Sequence, residues 1–156
     1  MASPLWVLIV DDDEMMTKTL ADILVHKGYR AVTAHSAREA LDKADRMAFD
    51  CIFSDIRMPE MDGVTLHREV RRRYGDLPMA LMTAYSETQL IQEGLRSGVI
   101  AVFTKPINLE MLFLFLGHLP NEIDEFISYA HQRAANRIVT RLNPTYADNG
   151  STYRHP

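Results

Sequence analysis

Cysteine is almost missing from this chain: Cys51 is the only one in 156 residues. One thiol excludes an internal disulfide and suits a reducing compartment. An apolar run of membrane-spanning length is missing too, since the longest, near Asn108, is about half of the roughly 20 residues a bilayer crossing needs. The N-terminal run LWVLIV is six residues long, lacks a basic flank and leads straight into acids, which is not the pattern of a secretion signal. Nor does one sign of charge dominate: 17 Lys and Arg stand against 21 Asp and Glu, for a net charge of -4. That balance argues against wholesale attraction to nucleic acid or an anionic membrane. Internal repeats and low-complexity segments are lacking as well. Together these absences lead to the expectation of a soluble, cytoplasmic protein, with one domain of ordinary size and an appendage.

What is there is a regular alternation. LWVLIV (Leu5 to Val10) is an unbroken apolar run of strand length, as in a strand buried on both faces. Met16, Leu20, Ile23 and Leu24 follow at helical spacing, and Gly28 closes that helix. RAVTA, CIFSD, PMALMT and VIAVFT read as strands two to five. Between them, Ser36 with Glu39 and Ser86 with Gln89 form capping boxes for helices two and four. Leu66, Val70 and Tyr74 mark helix three, and Asn108 caps helix five. Five strand and helix pairs in about 120 residues predict an α/β domain, a parallel sheet covered on both faces. In such a fold the working site lies at the carboxyl ends of the strands, near the reversal of strand order.

Those ends carry Asp11, Asp12 and Asp13 after strand one, Asp55 at strand three, Thr83 at strand four and Lys105 after strand five. Clustered carboxylates repel, and a hard divalent cation with oxygen ligands relieves the repulsion; Mg2+ suits a cluster that keeps waters and leaves room for a phosphate oxygen. A lysine ammonium and a threonine hydroxyl serve the same anion. Bare chemistry therefore points to a Mg2+-assisted phosphoryl-accepting site with a carboxylate nucleophile.

The stretches IVDDDE, FSDIRMPEMDG, LMTAY and TKPI, in this order and on these elements, resemble the response regulator receiver domain of two-component signalling, from about Leu5 to Leu119. The resemblance implies a doubly wound, flavodoxin-like sheet in the order 2-1-3-4-5, followed here by one extra C-terminal helix. It implies that Asp55 accepts a phosphoryl group from the phosphohistidine of a sensor kinase. Asp12 would ligate Mg2+ directly and Asp11 mainly through water, with Asp55 and the backbone carbonyl of Arg57 completing the protein ligands. Thr83 would reach toward the phosphoryl group and Lys105 would pair with its oxygen. The Lys105 to Pro106 bond is expected to be cis, a state essentially confined to X-Pro. Asp13 has no part in that pattern and reads as a cap for helix one. Such a protein is no enzyme beyond catalysing its own phosphorylation and dephosphorylation.

Two positions depart from the pattern. Receivers usually carry an aromatic residue three before the lysine, where this chain has Val102; Phe103 is adjacent but points to the opposite face of the strand. Tyr85, two residues past Thr83, is bulky enough to screen the phosphoryl group from water, which would slow dephosphorylation.

The stretch NLEMLFLFLGHLP (Asn108 to Pro120) is apolar without interruption from Met111 to Leu116, so apolar residues go all the way round the helix and something beyond the sheet must cover it. Beyond it, about 35 residues cannot hold a helix-turn-helix with its core, so direct DNA binding is not expected. Asn121 caps a further amphipathic helix with Ile123, Phe126, Ile127, Ala130, Ala134, Ile138 and Leu142 on one stripe and acids ahead of bases. The expected organisation is a domain over residues 1–120, a helical extension over 121–143 and a disordered tail over 144–156. The extension either folds back on helix five or joins two chains in a homodimer through these helices; output would go by protein contact to a downstream protein. Three features read as ordinary structure: Arg71 to Arg73 as a solvated helix end, Cys51 as a small core residue, and His118 and His131 as packing residues without metal-ligand spacing. Two other readings stand beside the receiver. Asp11-x-Asp13 resembles the nucleophile motif of haloacid dehalogenase phosphatases, although Met15 replaces the usual Thr or Val and no cap domain follows; and the chain fits a receiver fragment of a larger hybrid kinase or regulator.

Overall fold

A computed structural model describes residues 3–84, 88–119, 121–133 and 138–141. The chain comprises two compact units, residues 1–79 and 80–156.

In the first unit, strands β1 (Trp6–Val10), β2 (Arg30–Ala34) and β3 (Cys51–Asp55) alternate with helices α1 (Glu14–His26), α2 (Ala37–Arg46) and α3 (Gly63–Tyr74). β1 pairs in parallel with β2 on one side and β3 on the other. The unbroken apolar run of β1 has the burial it predicts: Val7, Leu8, Ile9 and Val10 are all buried, as are all five residues of β3. Each helix starts where a short polar side chain can satisfy an orphan N–H. Asp13 accepts from Met16 N at 3.0 Å, Ser36 from Glu39 N at 3.0 Å and Asp62 from Thr65 N at 2.8 Å. Glu39 returns the favour one residue further out than a standard capping box, accepting the His35 N–H at 2.8 Å. Lys27 caps the end of α1, and Gly28 follows at φ 105°, a backbone region that side chains resist.

The arginine run on α3 is tied into the unit. Arg72 and Arg73 both bind Glu69, and Arg73 reaches Asp45 of α2 at 3.0 Å. The two guanidiniums hold the Glu69 carboxyl down to about 2, well below the ordinary carboxylate range. Cys51 is fully buried, and burial pushes its thiol well above its usual value, which makes it an inert core residue.

The second unit holds β4 (Met79–Thr83, which begins at the division), α4 (Thr88–Ser97), β5 (Val102–Thr104), α5 (Leu109–Gly117), α6 (Ile123–Arg133) and β6 (Ile138–Val139). β4 and β5 are parallel, β6 runs antiparallel to β5, and the strand order is β2-β1-β3-β4-β5-β6. The expected parallel order 2-1-3-4-5 is present, and it gains a strand at residues expected to be helical.

The extension over 121–143 therefore needs correction. α6 begins at Ile123, with the Glu122 carbonyl accepting the Phe126 N–H, so Glu122 and not Asn121 holds the cap position. It extends to Arg133, about half the expected length, and Ile138 and Val139 then pair with Phe103 and Val102. Ile138, Val139 and Thr140 are three consecutive β-branched residues, stiff at χ1 and better suited to a pleated surface than to a helix. Ala134, Leu142, the tail over 144–156, Tyr85, the Ser86 cap and Pro120 lie outside the described residues.

α6 covers helix α5 within the same chain. Phe126 is fully buried with its ring 5.2 Å from that of Phe115 on α5 and 6.5 Å from that of Phe103 on β5, while Phe103 and Phe115 meet edge to face at 5.8 Å. Such aromatic contacts add about 0.5–1.5 kcal/mol each beyond area burial. Met111, Leu112, Phe115 and Leu116 are buried, and Phe113 and Leu114 are half-buried.

Two stability predictions arise here. Phe126→Ala removes the ring shared by α5, α6 and β5 and should cost about 3–5 kcal/mol in urea unfolding. His67, buried on α3 beside Arg71 and Arg68, is held down to about 4 by burial first and the two guanidiniums second. Its folded value lies below its unfolded one, so its contribution is present above about pH 6.5 and is lost as the pH falls toward about 4. Between about pH 7 and about pH 4.5 the wild type should lose about 2 kcal/mol more unfolding free energy than His67→Leu, measured by urea titration at each pH.

Candidate functional site

The first unit builds a carboxylate cluster from its strand register. Val10 of β1 pairs with Ser54 of β3, so in parallel strands the next residues, Asp11 and Asp55, stand side by side at the same end. Asp12 follows on the turn into α1, and carboxylate oxygens of Asp11, Asp12 and Asp55 all lie within 4.8 Å of one another. Asp11 is 1% exposed and Asp55 7%, whereas Asp12 opens to solvent. Two full negative charges at that separation repel by about 3.5 kcal/mol at an intermediate dielectric.

The turn fixes the acids individually. Asp11 accepts the Asp13 N–H at 3.0 Å through Oδ1, and its own N–H donates to Ala34 O at 3.1 Å. Asp13 spends its carboxylate on the α1 cap, so it stands apart from the cluster. Beyond β3 the loop IRMPEMDG turns back on itself: Gly63 N–H donates to Ile56 O and Met61 N–H to Pro59 O, both at 2.8 Å. Arg57 lies in this loop, two residues past Asp55, with its side chain exposed.

In the second unit Thr83 ends β4 and pairs with Thr104, which ends β5; both are buried. The Lys105 N–H donates to Thr83 O at 2.7 Å, which draws the threonine and lysine positions together, and the Lys105–Pro106 bond is cis. Val102 is fully buried in register with Leu81 and Val139. Phe103, in register with Met82 and Ile138, is engaged by Phe115 and Phe126.

A second cluster escaped the sequence reading. His118, at the end of α5, has Glu122 and Glu125 beside it, with ligand-type atoms within 4.8 Å of one another. The sequence leads to the expectation that His118 is a packing residue. Packing is half of its role, its ring lying 6.1 Å from that of Phe126, but the turn between α5 and α6 also brings two carboxylates to it. The signal in the sequence was a His with Glu four and seven positions on, across a helix break.

In an open parallel α/β sheet ligands bind in the crevice outside the carboxyl ends of the strands, the end that here carries Asp11, Asp12 and Asp55. The family model of the response regulator receiver domain matches residues 7–116, and the chain belongs to that family of signalling domains. Among curated relatives it is 34% identical over 134 residues to the transcriptional regulatory protein ZraR of Klebsiella oxytoca, covering 86% of this chain and 28% of that protein. It is 36% identical over 124 residues to the response regulator protein FleR of Pseudomonas aeruginosa, covering 76% of this chain and 26% of that one. The chain thus spans little more than a quarter of the length of either relative. Among solved structures it is similar to the chemotaxis protein CheY4 of Vibrio cholerae, with a TM-score of 0.70 at 34% identity over 75% of this chain and 99% of that one. It is also similar to the beryllofluoride-activated NtrC4 receiver domain dimer, with a TM-score of 0.68 at 29% identity over 78% of this chain and 98% of that one. Among the described residues no helix is long and apolar enough to cross a membrane.

Proposed function

We propose that this chain is the phosphoacceptor of a cytoplasmic two-component relay and that Asp55 takes the phosphoryl group from the phosphohistidine of a sensor histidine kinase. The observation that carries the reading is the buried Asp55 carboxylate at the end of β3, within 4.8 Å of the carboxylates of Asp11 and Asp12. An oxygen of Asp55 attacks phosphorus as the nitrogen–phosphorus bond of the donor breaks, and the leaving imidazole nitrogen takes up a proton. Three oxygen-donor acids with one open to solvent fit Mg2+, which Asp12, Asp55 and the Arg57 carbonyl would hold directly and Asp11 mainly through water. When bound, that ion offsets the carboxylate repulsion and the charge of the incoming phosphoryl oxygens.

The chain's own residues do the rest. Burial of Asp11 and Asp55 limits the water that competes for the acyl phosphate. Lys105 offers a point charge to a phosphoryl oxygen, and Thr83 a hydroxyl donor once that oxygen is present. Hydrolysis by water later returns Asp55 to its free form. With Val102 at the position where an aromatic residue would swing, and with Phe103 held among Phe115 and Phe126, signalling would run through Thr83 and the loop after β4 rather than through an aromatic rotamer.

Output by protein contact is the reading that α6 supports. The dimeric NtrC4 receiver makes association a natural expectation, but α5 is already covered by Phe126 of its own chain. A downstream protein is therefore favoured over a homodimer through α5 and α6. The first part of the chain, residues 1–120, acts as the receiver, and α6 with β6 as an appendage on it.

The test is the site of modification. With Mg2+ and acetyl phosphate as donor, the intact mass should rise by one phosphoryl group in the wild type and not in Asp55→Asn, while Asp11→Asn should react more slowly through the same residue. Label retained in Asp55→Asn and lost in Asp11→Asn would overturn the assignment in favour of an Asp11 nucleophile.

A further inference from the structure

The cluster of His118, Glu122 and Glu125 stands outside the carboxylate site and lies entirely in the second unit. His118 caps α5, its backbone N–H donating to Leu114 O and Phe115 O at 3.2 Å. Its ring Nδ1 is 2.6 Å from Leu114 O. A carbonyl oxygen can only accept, so Nδ1 carries the proton, and in the neutral ring Nε2 is the nitrogen with a lone pair. An imidazole oriented by donating one N–H to a backbone carbonyl is the arrangement that fixes tautomer and direction in metal-ligating histidines.

The carboxylates are positioned with similar economy. The Glu122 N–H donates to His118 O at 2.8 Å, and the Glu122 carbonyl accepts from Phe126 at 3.1 Å, so the chain between the helices is bonded to both. Glu125 follows in the first turn of α6, and the neighbouring acid Asp124 is paired with Arg141. Ligand atoms of a tetrahedral site with bonds near 2.0–2.1 Å sit about 3.4 Å apart. Bringing the present spacing of up to 4.8 Å to that value requires rotation of the two exposed glutamate side chains.

We infer that His118, Glu122 and Glu125 form a second cation site, for a borderline transition-metal ion of the Zn2+ class with water completing its coordination. One nitrogen and two oxygens select against Mg2+ and Ca2+, which take oxygen ligands, and favour ions that bind imidazole. Because its ligands come from the end of α5 and the start of α6, the ion clamps the helix that covers α5, and binding stabilises the folded chain by mass action.

The experiment is calorimetric titration of the full chain with Zn2+ in excess Mg2+, which keeps the Asp11, Asp12 and Asp55 cluster occupied. The wild type should bind one Zn2+ with a low-micromolar or tighter Kd. The double variant E122Q/E125Q, which keeps side-chain shape, and the single variant H118Q should each weaken binding by at least about tenfold, the order that losing even an outer partner costs. His131→Gln should bind as the wild type does. Absence of binding in the wild type, or unchanged affinity in both cluster variants, would overturn the site.

Discussion

Mutual repulsion among three carboxylates is the constraint around which the first unit is arranged. Two of them, Asp11 and Asp55, are buried at the ends of adjacent parallel strands, where their charges are least screened. Nothing in the hydrophobic core requires acids there. The arrangement persists because β1 and β3 are apolar along their whole length and lock their register, leaving their terminal acids side by side. On the function proposed above, the energy set against folding is what a bound cation would offset and what an incoming phosphoryl group would draw on. Register places the charges.

The second unit answers a different demand. α5 carries more apolar surface than one sheet face can hide, and the chain meets the excess with its own α6. The ring of Phe126 closes over Phe115 and Phe103, and Ile138 with Val139 takes the free edge of β5. An exposed edge strand invites pairing with another chain, and the two-residue β6 leaves only a very short one. The covering of α5 and the termination of the sheet are one device, built from the same segment.

Much of this was legible in the residues. Continuous apolar runs predicted buried parallel strands, and Asp13, Ser36 and Asn108 announced helix starts that the caps bear out. The acids could be grouped because a parallel fold puts every strand's carboxyl end on one rim. The extension was misread for a definable reason: Ile138 continues the helical stripe of Phe126 and Ala130, and a period of 3.6 does not by itself distinguish a helix from a helix followed by two strand residues. The β-branched run Ile138, Val139 and Thr140 was the overlooked cue. His118 packs against Phe126 as its sequence context suggests, and the two glutamates reach it only after the chain turns between α5 and α6.

The central claim is that Asp11, Asp12 and Asp55 form a strained, cation-seeking cluster, and Asp12 is the member that can be altered with least damage to the core. The decisive measurement is the urea midpoint of wild type and Asp12→Asn, each with Mg2+ and with chelator. The account predicts that Asp12→Asn is the more stable of the two in chelator, and that Mg2+ raises the wild-type midpoint well above its effect on the variant. Equal midpoints in chelator together with an equal Mg2+ response would contradict it.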